Sequence, residues 1–147
     1  NINATVIGDY QHPKVRLPGS GGSQEIAGWA NRCYIMTPHQ KRRFPEKVDY
    51  ITSAGFLSNR AEREATGARG GGPTVIVTNL GILEPDESGE LILTALHPGC
   101  SVEQVKENTG WQIRVAGNLK TTEPVDESEL RILREELDPD GIYLKGS

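Results

Sequence analysis

Short alternating and apolar runs, separated by glycine and proline, set the pattern of the first third of the chain. Asn1–Tyr10 (NINATVIGDY) and Pro13–Gly19 (PKVRLPG) are bounded by Gly8, Asp9, Pro13 and Pro18, and predict two strands joined by a turn. Past Gly19, Ser20, Gly21 and Gly22 the period changes. Ile26, Trp29, Ala30 and Cys33 recur at helical spacing, which predicts an amphipathic helix capped by Ser20 or Ser23. Arg32–Thr37 (RCYIMT) then reads as a buried strand.

Val48–Ser53 (VDYITS) is a further strand candidate. Gly55–Pro73 reads as a loop with one helical turn around Asn59–Ala65 and a flexible, glycine-rich connection from Gly67 to Pro73. Thr74–Pro85 (TVIVTNLGILEP) is the most apolar segment. Its consecutive Val75, Ile76 and Val77 predict a central strand covered on both faces. The polar Asp86–Gly89 separates it from Glu90–Leu96 (ELILTAL), which predicts an antiparallel hairpin. Ser101 and Gln104 form a capping-box pattern, with Val102 and Val105 on one face of a short helix that Gly110 stops. Trp111–Ala116 alternates as a strand. Asp126–Leu137 opens with the capping pair Asp126 and Glu129, puts Leu130, Leu133 and Leu137 on one side, and ends before Pro139. No repeat divides residues 1–147, so a single α/β domain is expected.

Composition narrows the partners. The 147 residues are 35% hydrophobic and 24% charged, as in a globular domain with a real core. Sixteen Lys and Arg against twenty Asp and Glu leave a formal charge of −4 without a basic run, which argues against a nucleic-acid partner. Cys33 and Cys100 have neither CxxC spacing nor enough company for a metal cluster or disulfide framework. No apolar stretch approaches the roughly 20 residues of a membrane span, and no signal-peptide pattern opens the chain. A reducing cytoplasm and no membrane association are expected. The chain begins at Asn1 directly in a strand-like run, as though inside a longer polypeptide.

The cluster Gly19, Ser20, Gly21 and Gly22 is the most informative feature. At a strand-to-helix junction backbone N–H groups are unpaired and lie at the positive end of the helix dipole, and glycine lets an anionic oxygen approach closely. A tight turn without a ligand is the competing reading. Neither a Walker A loop nor GxGxxG is present, so ATP and NAD lose their usual sequence support. The segment Pro38–Phe44 (PHQKRRF) places His39, Lys41, Arg42 and Arg43 directly after a strand, where open α/β sheets bind ligands. It would suit a carboxylate or phosphate; a solvated basic turn balancing Glu46 and Asp49 is the alternative. A Cys33–His39 nucleophile pair competes with simple packing of Cys33. His97, before Pro98 and Gly99, suits local hydrogen bonding better than ligand binding. No acidic pair sits among apolar residues in a way that would raise its pKa.

Taken in order, NINATVIGD, LPGSGG, HQKRRFPEKVDYITSAGFL, VTNLGILEPD, LTALHPGCSVEQVKENTGW and LREELDPDGIYL resemble the β subunit of family I CoA-transferases, of the glutaconate and 3-oxoacid or 3-oxoadipate type. The resemblance covers nearly the whole chain. It implies an open mixed sheet flanked by helices, of the CoA-transferase (NagB/RpiA-like) type. It also implies a chemistry: a glutamate carboxylate attacks an acyl-CoA thioester, an acyl anhydride forms, and an enzyme–CoA thioester hands CoA to a second carboxylic acid. Backbone donors then stabilise each negative oxygen, at on the order of 3 kcal/mol per donor. Gly19–Gly22 matches the family loop bordering the active site. His39, Arg42 and Arg43 are candidates for binding the acid or the CoA phosphates.

The family's nucleophilic glutamate lies in a Ser-Glu-Asn-Gly motif that is absent here, and neither Glu25 nor Glu46 has that context. The resemblance therefore implies the C-terminal portion of a β subunit, with no catalytic residue in this chain and no activity by itself. Coenzyme A would be a substrate rather than a permanent cofactor, and no metal is implied. The implied partners are an α subunit and the N-terminal half of the β subunit, in an oligomer. A CoA-thioester-dependent hydrolase on the same fold, and a non-catalytic assembly or regulatory module, are the competing functions.

Overall fold

Two sheets organise the molecule, and the division follows the distribution of apolar side chains. The computed structural model describes residues 1–143. β1 (Val6–Gly8) and β2 (Pro13–Arg16) pair antiparallel, with Val6 opposite Arg16 and Ile7 opposite Val15. Val6 is buried while Ile7 and Val15 meet solvent, so this small sheet has one wet face. α1 (Ser23–Trp29) leads into the larger sheet.

That sheet has the order β3 (Cys33–Met36), β4 (Pro73–Val77), β5 (Gly81–Pro85), β6 (Leu91–Leu96) and β7 (Arg114–Thr121). β3 and β4 are parallel, as are β6 and β7, and the pairs between them are antiparallel. α2 (Arg60–Ala65) lies in the β3–β4 connection and α3 (Val102–Glu107) in the β6–β7 connection. α4 (Glu127–Arg131) continues as a π-helical turn over Ile132–Leu137. This is the mixed α/β sheet with flanking helices that the sequence predicts.

The core forms around the hairpin. Leu83 and Leu93 are partners across β5 and β6, and both are fully buried. Phe44, Ile76, Val105 and Ile113 complete the cluster; burying each large apolar side chain contributes about 1.5–3 kcal/mol. Asp86 closes the hairpin, its Oδ1 accepting the N–H groups of Ser88 and Glu90 at 2.9 and 3.0 Å. The Ser88 hydroxyl and the Arg114 guanidinium hold its carboxyl well below the usual carboxylate range. Ser101 and Gln104 make the predicted reciprocal cap, at 3.3 and 2.8 Å.

Several expectations are corrected. Val48–Ser53 forms no strand: Ser53 makes a single antiparallel bridge to Ile2, and the Thr52 hydroxyl takes the Ala4 N–H. The helical stripe ends early, because Cys33 belongs to β3, and Ile26 and Trp29 face solvent while Ala27 alone of α1 is buried. β3 is an edge strand rather than a buried one; Thr74–Pro85 lies inside the sheet as expected, but as two strands, β4 and β5, rather than one. The glycine-rich connection is packed: a Cβ at Gly70 or Gly71 would lie 2.3 or 2.4 Å from the carbonyl oxygen of Ala30 or Asn31. Leu133 and Leu137 are exposed on the last helical turns.

Candidate functional site

The glycine loop stands on the opening residues of the chain. Leu17 and Gly19 donate their N–H groups to Thr5 and Ala4 at 2.9 and 2.8 Å, which extends the β1–β2 ladder up to the loop. Below it, the Thr5 and Thr52 hydroxyls meet at 2.7 Å and those of Ser23 and Ser53 at 2.9 Å. The turn itself needs glycine at two places, since Gly19 and Gly21 have φ of +95° and +52°.

Neither predicted serine caps α1. Gly22 is the N-cap, without a side-chain hydrogen bond, and the Ser20 hydroxyl donates to the Gly21 carbonyl. Consequently the loop donors are not consumed by a cap. Among the described residues the backbone N–H groups of Gly21 and Gly22 have no acceptor. A Cβ added at Gly19, Gly21 or Gly22 would meet no atom within 4 Å beyond its chain neighbours. The loop is an open cradle of donors; α1 is only seven residues long, so these N–H groups matter more than its dipole.

The basic turn is built differently. His39 is buried, its ring stacked on Phe44 at 4.3 Å between centroids. Its Nδ1 lies 3.2 Å from the Thr78 hydroxyl and its Nε2 3.0 Å from that of Thr109, while its backbone N–H donates to Asn79 Oδ1 at 2.7 Å. Both ring nitrogens are occupied, which corrects the expectation that His39 meets an acid or a phosphate. A Cys33–His39 nucleophile pair fails on the same ground.

The hydroxyls that meet the ring are themselves held by the backbone. Thr78 donates its hydroxyl to the Gly81 carbonyl at 2.9 Å, and Thr109 to that of Val105 at 2.7 Å. Thr78 Oγ1 also accepts the N–H groups of Leu80 and Gly81 at 3.1 and 3.0 Å, so the hydroxyls around the ring are engaged on several sides. Burial lowers the pKa of His39 below its ordinary value, so the ring is neutral at pH 7. His97 closes the same end of the sheet, its Nε2 donating to the Thr78 carbonyl at 2.8 Å and its Nδ1 facing the Thr122 hydroxyl at 2.8 Å.

Arg42 and Arg43 project from this anchor and are exposed. Arg42 Nε donates to Gln40 Oε1 at 3.0 Å. Among the described residues neither arginine pairs with Glu46 or Asp49, and Asp49 instead accepts the Gly8 N–H at 2.8 Å. Both guanidiniums are open to an anion. No hydrogen bond among the described residues joins the glycine loop to the basic turn.

Sequence reasoning missed Arg63. It is buried on α2, and its Nη1 donates to the carbonyls of Ala54 and Gly55, both at 2.9 Å, while Nη2 donates to those of Ala27 and Gly70 at 2.6 and 3.2 Å. One guanidinium thereby joins α1, the segment beneath the glycine loop, and the glycine-rich connection. Nothing in the RAEREA pattern distinguishes it from Arg60. Thr78 and Thr109 were equally invisible as partners of a histidine 39 and 70 residues away.

The coenzyme A transferase family model matches residues 1–108. The B-type subunit of a 3-oxoadipate CoA-transferase from Pseudomonas knackmussii is 50% identical over 135 residues, 91% of this chain and 52% of that protein. The chain belongs to the coenzyme A transferase family. In the crystal structure of glutaconate coenzyme A-transferase from Acidaminococcus fermentans, a chain 41% identical superposes with a TM-score of 0.90 over 100% of this chain and 56% of its own length. The IpdB subunit of a cholesterol ring-cleaving hydrolase from Rhodococcus jostii is 31% identical over 95% of this chain and 54% of that protein. The chain thus spans about half the length of the curated relatives it matches. Among the described residues no helix is long and apolar enough to cross a membrane.

Proposed function

We propose that this chain is the part of a CoA-transferase B-type subunit that supplies the oxyanion donors for moving CoA between an acyl-CoA thioester and a carboxylic acid. The observation that carries this reading is the open Gly21–Gly22 cradle in a chain half identical to a 3-oxoadipate CoA-transferase subunit. The acid is a short dicarboxylic or 3-oxo acid, and coenzyme A is substrate rather than resident cofactor. An A-type subunit and the remainder of the B-type subunit complete the site. The nucleophilic glutamate comes from outside this chain. The setting is the cytoplasm, where Cys33 and Cys100 stay reduced thiols.

The chemistry divides one exchange into carboxylate attacks. The glutamate oxygen bonds to the thioester carbonyl carbon and CoA leaves as thiolate, giving a mixed anhydride. The thiolate then attacks the glutamyl carbonyl and expels the first acid as its carboxylate. A second carboxylate reverses both steps, so CoA changes acid with no net proton transfer. Every attack pushes charge onto a carbonyl oxygen. The N–H groups of Gly21 and Gly22 receive it, fixed in advance and without competing acceptors. Arg42 and Arg43 hold the acid carboxylate or the CoA phosphates.

Gly21→Val and Gly22→Val in the assembled enzyme test this reading. Valine keeps the backbone N–H, but its side chain occupies the space through which an oxygen reaches it, and turnover should fall by about 100-fold or more. Unchanged turnover would reject the role of the loop. The 31% identity to a ring-cleaving hydrolase subunit supports a second reading, a CoA-thioester-dependent hydrolase on the same fold. Product analysis separates the two: CoA appearing on an added acid marks a transferase, and a substrate opened by water without any acceptor acid marks a hydrolase.

A further inference from the structure

A loop made of glycines has to be held from outside. Gly19, Gly21 and Gly22 bring no side chain to pack, and a Cβ at any of them would meet no atom within 4 Å beyond its chain neighbours. Donors to a developing oxyanion, however, act only if they are fixed before the charge appears. Among the described residues, two hydrogen bonds run from Gly19–Ser23 to distant parts of the chain. Gly19 donates its N–H to the Ala4 carbonyl at 2.8 Å, and the Ser23 hydroxyl meets that of Ser53 at 2.9 Å. The first holds the entry of the loop and the second its exit, with Gly21 and Gly22 between them.

Both legs lead to the same dipeptide. Ala4, which holds Gly19, donates its own N–H to the Thr52 hydroxyl at 2.8 Å, and that oxygen also meets the Thr5 hydroxyl at 2.7 Å. Ser53, which holds Ser23, is 1% exposed, and among the described residues its hydroxyl has no other partner. A buried hydroxyl left unpaired is costly, so Ser53 dictates where the first residue of α1 lies. The dipeptide is itself anchored. The N–H groups of Thr52 and Ser53 both reach the Ile2 carbonyl, at 2.9 and 3.1 Å, and Ile2 returns its N–H to the Ser53 carbonyl at 3.0 Å. The next two carbonyls, of Ala54 and Gly55, are held by the buried Arg63.

We propose that Thr52 and Ser53 are positioning residues for the Gly21 and Gly22 N–H groups: the Thr52 hydroxyl fixes the entry of the glycine loop through Ala4, and the Ser53 hydroxyl fixes its exit through Ser23. They act through the loop rather than on the substrate. This inference rests on the reading of Gly21 and Gly22 as oxyanion donors and adds what aims them. A donor that drifts loses more of its interaction with the transition state than with the uncharged carbonyl, so slackening either leg lowers kcat and leaves KM nearly unchanged.

Ser23→Val and Ser23→Thr in the assembled enzyme test the exit leg. Both side chains are β-branched and of similar shape, and they differ in the hydroxyl. Valine should lower kcat by about tenfold or more at nearly constant KM, and threonine should keep most of the wild-type kcat. Adding Ser53→Ala to Ser23→Val should lower kcat no further than the worse single variant, because the same hydrogen bond is lost in each. At the entry, Thr52→Val should lower kcat and speed amide exchange at Gly19, and Thr52→Ser should keep both near wild type. Equal damage from valine and threonine at position 23, fully additive losses in the double variant, a higher KM at constant kcat, or unchanged exchange at Gly19 would overturn the proposal. Gly22→Val separates its failure from that of the underlying reading. A silent Ser23→Val beside a damaging Gly22→Val overturns the positioning role alone, whereas a silent Gly22→Val overturns both.

Discussion

The glycine loop and the His39 turn both leave a strand end carrying groups suited to anions, yet the fold treats them oppositely. Among the described residues the donors at Gly21 and Gly22 have no acceptor, and a Cβ at either would meet no atom within 4 Å. At His39 both ring nitrogens are engaged, the ring is stacked, and the surrounding hydroxyls already serve backbone carbonyls. A buried polar group must be paired, whereas a group meant for a ligand must be left unpaired until the ligand arrives. Residue type alone therefore does not separate a binding group from a structural one.

The largest expected effect lies beneath the open site. Arg63→Met keeps the length of the side chain but leaves the carbonyls of Ala27, Ala54, Gly55 and Gly70 without their shared donor. We expect a loss of about 3–5 kcal/mol in urea unfolding. A loss below about 1 kcal/mol would mean that the loop does not depend on this tie. Gly22→Val reverses the pattern. Gly22 has a negative φ of −88°, so it does not need glycine for its φ, and a Cβ there would meet no atom within 4 Å. Stability should fall by no more than about 1 kcal/mol, the cost of a poorer N-cap. Turnover of the assembled enzyme should drop by about 100-fold. Equal damage to folding and turnover would erase the contrast between open and filled sites.

His39→Gln sharpens the other side of the comparison. Loss of the Phe44 stack and of one threonine contact should cost about 2 kcal/mol at neutral pH, read by thermal or urea unfolding. The sign of the pH dependence follows from burial. The folded state holds His39 neutral below its ordinary pKa of 6.5, while the unfolded chain takes up a proton there. Wild-type stability therefore declines as pH falls through the ordinary value and levels off once the folded ring also protonates. The variant lacks this component, and its deficit should narrow between about pH 8 and pH 5. His12 and His97 are present in both proteins and cancel from the difference. A constant deficit across this range would show that His39 titrates alike in the folded and unfolded chains.

Local chemistry was legible in the sequence, and long-range chemistry was not. The hairpin at Asp86–Gly89 and the Ser101–Gln104 cap lie within a few residues of their partners, and both form as read. The glycine loop was also visible, because a glycine cluster at a strand-to-helix junction has few structural solutions. Periodicity misled at α1, where helical spacing at Ile26 and Trp29 marks a face this chain leaves uncovered rather than a core stripe. His39 was misread because its fate depends on Thr78 and Thr109, which the fold alone brings to it. Arg63 gave no signal at all. Its four acceptors are backbone carbonyls, present at every position of any sequence.

The smallest effects belong to Arg42 and Arg43. Both are exposed, and the fold uses neither guanidinium in an ion pair among the described residues, so Arg42→Ala and Arg43→Ala should each change stability by less than about 0.5 kcal/mol. Their proposed work is attraction of a carboxylate or phosphate across partly solvated space. Removing one charge there should raise KM about two- to fivefold with kcat nearly unchanged, since substrate and transition state carry the same remote anion. Added salt should shrink the difference between variant and wild type as screening replaces the missing attraction. An unaltered KM at low salt would return the turn to the solvated role that its sequence equally allowed. A fall in kcat with KM constant would instead place an arginine next to the reacting carbonyl, and would make the anchored turn as much a part of the chemistry as the open loop.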